Sequence, residues 1–237
     1  MSRDQRDRTY HRPMSRRLHA RCRARLALLA LVPVLTSCGA DEVLPVDAGG
    51  RARLEVARLA AEETMAKATL RNLVAAQAQL QVVGWIDTDQ DGVGEYGGLL
   101  ELSGAVAGRG HEALTPAVIG EAFRTLDAEG RAHFEGYTYR LFLPGRKGIA
   151  VGEPAGGFTR AMKVPADAAE QAWACLAWPS TAGTQQRSFF VATSGQLLAT
   201  APGRHGGDQG APPAPVFEGL EARPGGDGSS ATWTTLE

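Results

Sequence analysis

The sequence has few of the residues and runs that mark disulfide-bonded proteins, membrane-spanning proteins or common hydrolases. It contains 3 cysteines and 5 histidines in 237 residues, and aromatic residues make up 6%. Its N-terminal apolar run, residues 26–35, is about half of the roughly 20 residues that a bilayer-crossing helix needs. No histidine lies in an HExxH spacing, and no serine lies in a Gly-x-Ser-x-Gly context. These absences argue against a transmembrane helix and against two familiar hydrolase classes.

The N-terminal region instead has the layout of an export signal. A block of arginines precedes the apolar run, and small residues then lead into Cys38. The motif Leu35-Thr36-Ser37-Cys38 resembles a bacterial lipoprotein signal. The resemblance implies that residues 1–37 are a signal peptide, and that the Cys38 thiol carries a diacylglycerol with palmitate-type acyl chains. Gly39 then permits transfer to the outer membrane, on its periplasmic face or at the cell surface.

Other interpretations of this region stay open. Cleavage elsewhere would make Cys38 a chance residue, and translation could begin at Met14. The stretch Ser15-Arg16-Arg17-Leu18 also has a faint resemblance to a twin-arginine export signal.

Removal of residues 1–37 would leave an acidic protein. These residues contain 9 arginines and 2 aspartates, so 16 of the 25 basic residues remain against 24 of the 26 acidic ones, a formal net charge of −8. An acidic surface argues against nucleic acid as a partner, and against a basic patch that grips anionic lipid. Membrane attachment would then depend on the lipid at Cys38. Cys175 would lack a cysteine to pair with, and its apolar neighbours predict an inert buried thiol.

Hydrophobic periodicity predicts an α+β domain between flexible ends. Residues 38–50 are expected to form a tether, and residues 51–84 a long amphipathic helix in which Leu59, Ala66, Leu73 and Leu80 recur every seven positions. We favour packing of this stripe on a core. A coiled-coil partner is the alternative, although polar residues interrupt the seam.

Strand patterns follow the helix. Residues 137–144 and 172–178 predict two strands, and residues 187–193 and 196–200 predict a hairpin with Ser194-Gly195 at its turn. The domain is expected to span residues 51–201. Residues 202–237 are rich in glycine and proline and predict a loop or mobile tail.

An acidic loop between helix and strands is the strongest candidate for a binding site. Three aspartates at alternate positions and a glycine reproduce the first half of an EF-hand calcium loop, because such carboxylates converge on a hard cation. Position 12 of that loop is Gly98 instead of glutamate, so the match is incomplete. An ordinary turn whose aspartates bond their own backbone is the alternative. The candidate calcium ligands are Asp87, Asp89, Asp91, Val93 through its carbonyl, and Glu95.

Several short segments, taken in order, resemble one architecture. They are residues 70–77, Asp91-Gly92, Gly94-Glu95-Tyr96, Gly136-Tyr137, Arg140-Leu141, Ala177-Trp178-Pro179, Phe189-Phe190-Val191 and Gly195. Over residues 55–200 this order resembles uncharacterised bacterial envelope proteins with the architecture of pilins and type II secretion pseudopilins. The resemblance implies a pilin-like head, in which a long N-terminal helix packs on an antiparallel sheet.

The chain departs from pilins at its N-terminus. Pilins begin with a prepilin-peptidase site and an apolar half-helix, whereas this chain has the lipoprotein-like signal, so assembly into a filament is not expected. Some G-type pseudopilins carry calcium in the head, but the acidic loop does not match their ligand motif, and no ligand is transferred from them.

The leading functional hypothesis is a non-catalytic, lipid-anchored envelope protein with a structural or interaction role and envelope proteins as partners. An accessory pseudopilin-like component of a secretion or pilus system is an alternative. A ligand-binding module is another, with the aromatic residues Trp85, Tyr96, Trp173 and Trp178. A hydrolase is the last, and its candidate bases are His111, His133 and His205.

Overall fold

The long helix predicted near the N-terminus is present in the computed structural model, which describes residues 47–162, 164–219, 221–226 and 233–236. The proposed signal peptide, Cys38 and most of the tether lie outside the described residues. The described residues belong to one unit, residues 46–237, with a mixed helical and antiparallel-sheet fold. The α+β prediction is confirmed.

Helix α1 spans Ala48–Val83, so residues 48–50 are helical and not part of a tether. Its start is capped by Asp47, whose side chain accepts a hydrogen bond from the Gly50 N–H at 2.6 Å. Its end is Gly84 in the left-handed conformation, with φ of 66°. The predicted helix end at residue 84 thus agrees with the structure to within one residue. Among the described residues, no helix combines the length and apolar character needed to cross a bilayer.

The predicted apolar stripe of α1 packs on the sheet. Its buried members are Ala66, Thr69, Leu70, Leu73, Ala76, Gln77 and Leu80. Residues 51–58 are exposed, and Leu59 is half-buried. The body of the protein therefore covers only the later part of the helix.

Within the described residues, the main sheet is antiparallel and has seven strands. The strands found there are β1 (Ala132–Phe134), β2 (Tyr137–Pro144), β3 (Ala150–Gly152), β4 (Ala174–Pro179), β5 (Phe189–Ala192), β6 (Leu198–Ala199), β7 (Val216–Glu218), β8 (Glu221–Arg223) and β9 (Thr234–Thr235). The order in the main sheet is β1-β2-β4-β5-β6-β9, and β3 pairs with the far end of β2. Strands β7 and β8 form a separate two-stranded sheet.

The central strands follow the sequence predictions closely. Cys175 on β4 lies opposite Leu141 of β2 and Val191 of β5, and it is fully buried. Burial raises the pKa of its thiol well above the ordinary value, which fits an inert side chain. The β5–β6 hairpin is present, although its connection runs over residues 193–197 and is longer than the predicted two-residue turn.

The segment after residue 201 contains three short strands, β7, β8 and β9, where the sequence predicted a loop or mobile tail. Strand β9 pairs with β6 and extends the main sheet, and Phe217 on β7 is 5% exposed. The indole N–H of Trp178 donates to the carbonyl of Gly207 at 3.2 Å. Glycine and proline content suggested a loop, but pairing with distant strands orders these residues.

Two short helices bring the acidic residues together. Helix α2 spans Leu99–Leu102, and helix α3 spans Ala166–Gln171. The backbone N–H of Tyr96 donates to the carbonyl of Ala169 at 2.9 Å, which holds α3 beside the segment that follows the acidic loop.

Candidate metal-binding loop and its buried support

The acidic loop turns sharply after α1. Gln90 and Gly92 have positive φ values of 64° and 91°. One oxygen of Asp87 accepts a hydrogen bond from the Gly92 N–H at 3.1 Å, and one oxygen of Asp91 accepts from the Val93 N–H at 2.8 Å. The aspartates therefore do bond their own backbone, and each also has a second oxygen that these bonds do not use.

The three aspartates converge as the spacing predicted. Asp87, Asp89 and Asp91 each present a carboxylate oxygen, and these oxygens lie within 4.8 Å of one another. A second such group joins Asp89 to Asp167 and Glu170 of α3. Because Asp89 belongs to both groups, five carboxylates from two elements form one acidic cluster. Carboxylates placed in this way can hold a metal ion.

The two members on α3 were not predicted as ligands. They lie three positions apart on a helix, which places them on one face. They come about eighty residues after the loop, so only the packing of α3 brings them near. The side-chain amide of Gln81 helps, since it donates to the carbonyl of Glu170 at 2.5 Å.

The acidic cluster carries negative charge that the described residues do not fully compensate. Oδ1 of Asp87 and Oε1 of Glu170 are buried and have no hydrogen-bond partner within the described part of the chain. Local desolvation, together with repulsion from Asp91 and Asp89, raises the pKa of Glu170 to about 7. Desolvation and repulsion from Asp91 also raise the pKa of Asp89. A bound cation would relieve both effects.

Two of the predicted calcium ligands, Val93 and Glu95, lie outside the two groups of converging carboxylates. Val93 is exposed, and its N–H is used by Asp91 as described above. Glu95 is 1% exposed and lies in neither carboxylate group. One of its oxygens accepts from the backbone N–H of Thr88 at 2.7 Å and from the Thr88 hydroxyl, and the other bonds Arg109. In this structure Glu95 holds the loop through its bonds to Thr88 and is not grouped with the three aspartates.

Arg109 forms ion pairs with two buried glutamates. Its guanidinium lies 2.7 Å from Oε2 of Glu95 and 3.1 Å from Oε2 of Glu101, and it also donates to the carbonyl of Tyr96 at 2.5 Å. Glu101 accepts two further bonds, from the backbone N–H groups of Arg109 at 2.6 Å and Gly98 at 2.8 Å. We call these three charged residues the buried network. Neither the sequence spacing nor any motif predicted it.

Glu153 lies in the core beside the buried network. It is completely buried and accepts hydrogen bonds from the N–H groups of Leu99 at 2.6 Å and Leu100 at 3.0 Å. Burial raises the pKa of Glu153 to about 8, although these two bonds favour the charged form. The side chain anchors the start of α2 through both of its oxygens.

One histidine lies in a chain of polar contacts. His133 is 2.9 Å from Asp127 through Nε2 and 3.2 Å from the Thr138 hydroxyl through Nδ1, and that hydroxyl is 2.9 Å from the hydroxyl of Ser180. A carboxylate, an imidazole and a hydroxyl occur in this order in hydrolases. Thr138 is 1% exposed, however, so its hydroxyl is not open to a substrate.

The aromatic candidates mostly serve the core. Trp173 and Trp178 are each 1% exposed, and Tyr96 is 8% exposed and packs at 6.3 Å from Trp173. Trp85 is half-buried, and its indole N–H donates to the carbonyl of Glu112 at 3.2 Å. These contacts favour packing over a ligand-binding surface.

Comparison with known proteins adds no relative. No family model, no curated protein and no solved structure matches the chain. The acidic cluster, with its oxygens that lack a partner, is therefore the best-supported functional feature on geometric grounds.

Proposed function

We propose that this chain is a non-catalytic, lipid-anchored protein of the bacterial cell envelope, in a structural or interaction role, whose pilin-like head is stabilised by calcium. The acidic cluster carries the proposal, because five carboxylates from two elements meet there. The anchor is supported by the sequence at Cys38, and the pilin-like head by a long helix packed on an antiparallel sheet.

Calcium fits the acidic cluster by ligand chemistry. It takes six to eight oxygen ligands in a flexible arrangement, whereas magnesium demands strict octahedral geometry. Asp87, Asp89 and Asp91 supply carboxylates from the loop, and Glu170 supplies one from α3, with water to complete the shell. An ion held in this way would tie the loop to α3 and would act as a brace for the fold.

Thermal unfolding of the full chain tests the calcium site. Calcium is expected to raise the melting temperature by several degrees relative to chelator, because it binds only the folded cluster. The double variant Asp87→Asn, Asp91→Asn should lose this rise. The matched control Glu112→Gln, an exposed glutamate outside the cluster, should keep it. Identical melting curves with calcium and with chelator would rule the site out.

The anchor has its own test. Mass spectrometry of the protein purified from bacterial membranes is expected to find Cys38 as the N-terminal residue, carrying diacylglycerol and a further acyl chain. A Cys38→Ser variant should no longer be acylated and should leave the membrane fraction. A cytosolic chain with residues 1–37 intact and no lipid contradicts this part of the proposal.

A role as an accessory component of a secretion or pilus system is a narrower form of the same proposal. Its support is the pilin-like arrangement of helix and sheet. Crosslinking in intact cells, followed by purification through the lipid-anchored chain, should then recover secretion or pilus subunits. Recovery of other envelope proteins would favour a general structural role.

A hydrolase is the second candidate, and the contacts of His133 are the observation that favours it. Ser180 is half-buried at the end of this chain of contacts and would have to act as the nucleophile through Thr138. Hydrolysis of simple p-nitrophenyl esters by the full chain, compared with Ser180→Ala and His133→Ala, decides between the two. The non-catalytic proposal predicts equal background rates for all three proteins.

A further inference from the structure

A groove runs along one side of α1, apart from the acidic cluster and the buried network. One wall is α1 between Met65 and Gln79, and the other is the segment 117–123 with Phe134 of β1. We call this space the α1 groove. Its volume is about 680 Å³, within the roughly 300–1,000 Å³ of pockets that hold small molecules. The α1 groove therefore has the size of a ligand site.

The α1 groove is long and follows the helix. Between Met65 and Gln79, α1 rises about 21 Å, at 1.5 Å per residue. A second pocket of about 170 Å³ shares Gln79 and Val118 with the groove and reaches Val83. The two spaces together border about 27 Å of the helix. A ligand that fills both is elongated.

Uncharged side chains form almost all of this lining. Glu121, which is exposed, is the one charged residue that lines the groove in the described part of the chain, and the second pocket has none there. A carboxylate or phosphate in the groove would have no cation to pair with, and burial of an unpaired charge is costly. Leu73 and Phe123 are buried at the floor and offer apolar surface to a hydrocarbon chain. The lining thus favours an apolar ligand without negative charge.

Neutral polar groups are available for one end of such a ligand. Thr69 and Asn72 both line the groove and lie three positions apart, on one face of α1. Thr69 is buried at 7% exposure, whereas Asn72 is exposed. The buried hydroxyl of Tyr139 interacts with Thr69, but no group among the described residues gives it a hydrogen bond of normal geometry. Hydroxyl and amide groups can donate to and accept from a ligand hydroxyl or ester.

A peptide fits the α1 groove less well than a slender lipid. A helix 21 Å long and 10–12 Å across occupies about 1,600 Å³ or more, over twice the volume of the groove. An extended peptide would need partners for its own backbone N–H and C=O groups. The exposed amides of Asn72 and Gln79 can satisfy only a few of them. A hydrocarbon chain has no such requirement.

We propose that the α1 groove binds an uncharged lipid with one hydrocarbon chain and a hydroxyl or ester head, as in a fatty alcohol or a monoacylglycerol. The chain lies between Leu73 and Phe123 and extends toward Val83, and the head bonds Thr69 and Asn72. This site goes beyond the proposed anchor and calcium site and depends on neither.

Displacement of a fluorescent dye tests the site. The full chain carries Cys38→Ser, so that no attached lipid competes, and the uncharged apolar dye N-phenyl-1-naphthylamine reports occupancy. Decanol is expected to displace the dye at micromolar concentrations. Octanol, which is two methylenes shorter, should need roughly tenfold more, because each methylene buried contributes about fourfold in affinity. Absence of dye binding, or displacement that does not depend on chain length, overturns the proposal.

A bulky substitution tests the location. Ala75→Trp fills the α1 groove and should weaken binding of the dye and of decanol at least about tenfold. Ala78→Trp makes the same change at an exposed position of α1 outside the lining, and this variant should bind as the parent does. Because both positions are exposed, both variants should fold, which thermal unfolding checks. Equal affinities in the two variants overturn the location. A dimer in sedimentation that Ala75→Trp dissociates would show that a second copy occupies the groove, and this also overturns the proposal.

A change of head group tests the charge preference. At pH 8 decanoate should bind at least about tenfold more weakly than decanol, since its carboxylate has no partner in the groove. Asn72→Lys supplies a cation beside the head and should raise the affinity for decanoate at least about tenfold, whereas Ala78→Lys should leave it unchanged. Equal binding of decanoate and decanol by the parent overturns the uncharged class. Equal decanoate affinities in the two lysine variants overturn the position given to the head.

Discussion

Two acidic regions lie within fifteen residues of each other, and they differ in burial and in how their charge is paired. The acidic cluster begins with Asp87, Asp89 and Asp91, of which the last two are exposed, whereas Glu95 and Glu101 of the buried network are 1% and 3% exposed. Arg109 pairs with both buried glutamates. In the cluster, Asp87 retains a buried oxygen without a partner among the described residues.

Burial explains the difference. A carboxylate in the core loses its hydration and must find its countercharge within the protein. A carboxylate at the surface stays hydrated, so it needs no countercharge from the protein and remains available to bind a cation. The buried network therefore serves stability, and the acidic cluster is available for a ligand, although Glu95 connects the two through Thr88.

The largest expected effect comes from removing the countercharge of the buried network. Arg109→Met should destabilise the protein by about 3–5 kcal/mol, because two glutamates stay buried without compensation. Urea unfolding measures the change. Arg146→Met, at an exposed arginine, is the matched control and should cost less than about 0.5 kcal/mol. Similar losses in both variants would contradict the role given to Arg109.

A smaller loss is expected at the buried carboxyl next to the network. Glu153→Ala should destabilise the protein by about 3 kcal/mol, since the N–H groups of Leu99 and Leu100 lose their acceptor in the core. The same unfolding measurement applies. Exposed Glu129→Ala provides the comparison, and a difference of less than about 0.5 kcal/mol between the two variants would count against this assignment.

The acidic cluster should show itself in the pH dependence of stability. The pKa of Glu170 is raised from 4.5 to about 7. Between these values the folded chain keeps a proton that the unfolded chain releases, so in chelator the free energy of unfolding should fall as pH rises through this window. Calcium should remove the fall, and Glu170→Gln should flatten it.

Calcium affinity should drop about tenfold in this variant, because affinity follows the charged ligands. Titration calorimetry checks the affinity, and an unchanged pH profile in Glu170→Gln would exclude Glu170 as the source.

The smallest effect is expected at Val93. Its predicted contribution to the ion is a backbone carbonyl, so Val93→Ala should leave calcium affinity unchanged and alter stability by less than about 0.5 kcal/mol at this exposed position. Calorimetry of the variant beside Glu170→Gln makes the comparison direct. A large loss of affinity in Val93→Ala would mean that the loop depends on this side chain.

Local patterns predicted much of the fold. The seven-residue repeat located α1, and the strand patterns located β2, β4 and the β5–β6 hairpin. These features depend on neighbours within a few residues, so the sequence pattern is sufficient to predict them. Strand β9 and the packing of Phe217 depend on partners far away in the chain, and composition alone suggested a tail there.

The candidate site likewise has a part that the local sequence predicted and a part that depends on distant packing. Its three aspartates lie within one turn, and their alternate spacing was sufficient to predict convergence. Asp167 and Glu170 join them only because α3 packs beside the loop. Glu95 lies outside the two carboxylate groups and bonds Arg109, fourteen residues later, in the core.

The sequence by itself determined the periodic elements and the acidic loop, since each follows from residues close together. The tertiary structure decided which carboxylates face a potential ion and which are paired inside. It also decided that the body of the protein covers the later part of α1 and leaves its first turns exposed. The physical reason is that burial and long-range packing set the environment of a charge or an apolar face, and neither depends on sequence spacing.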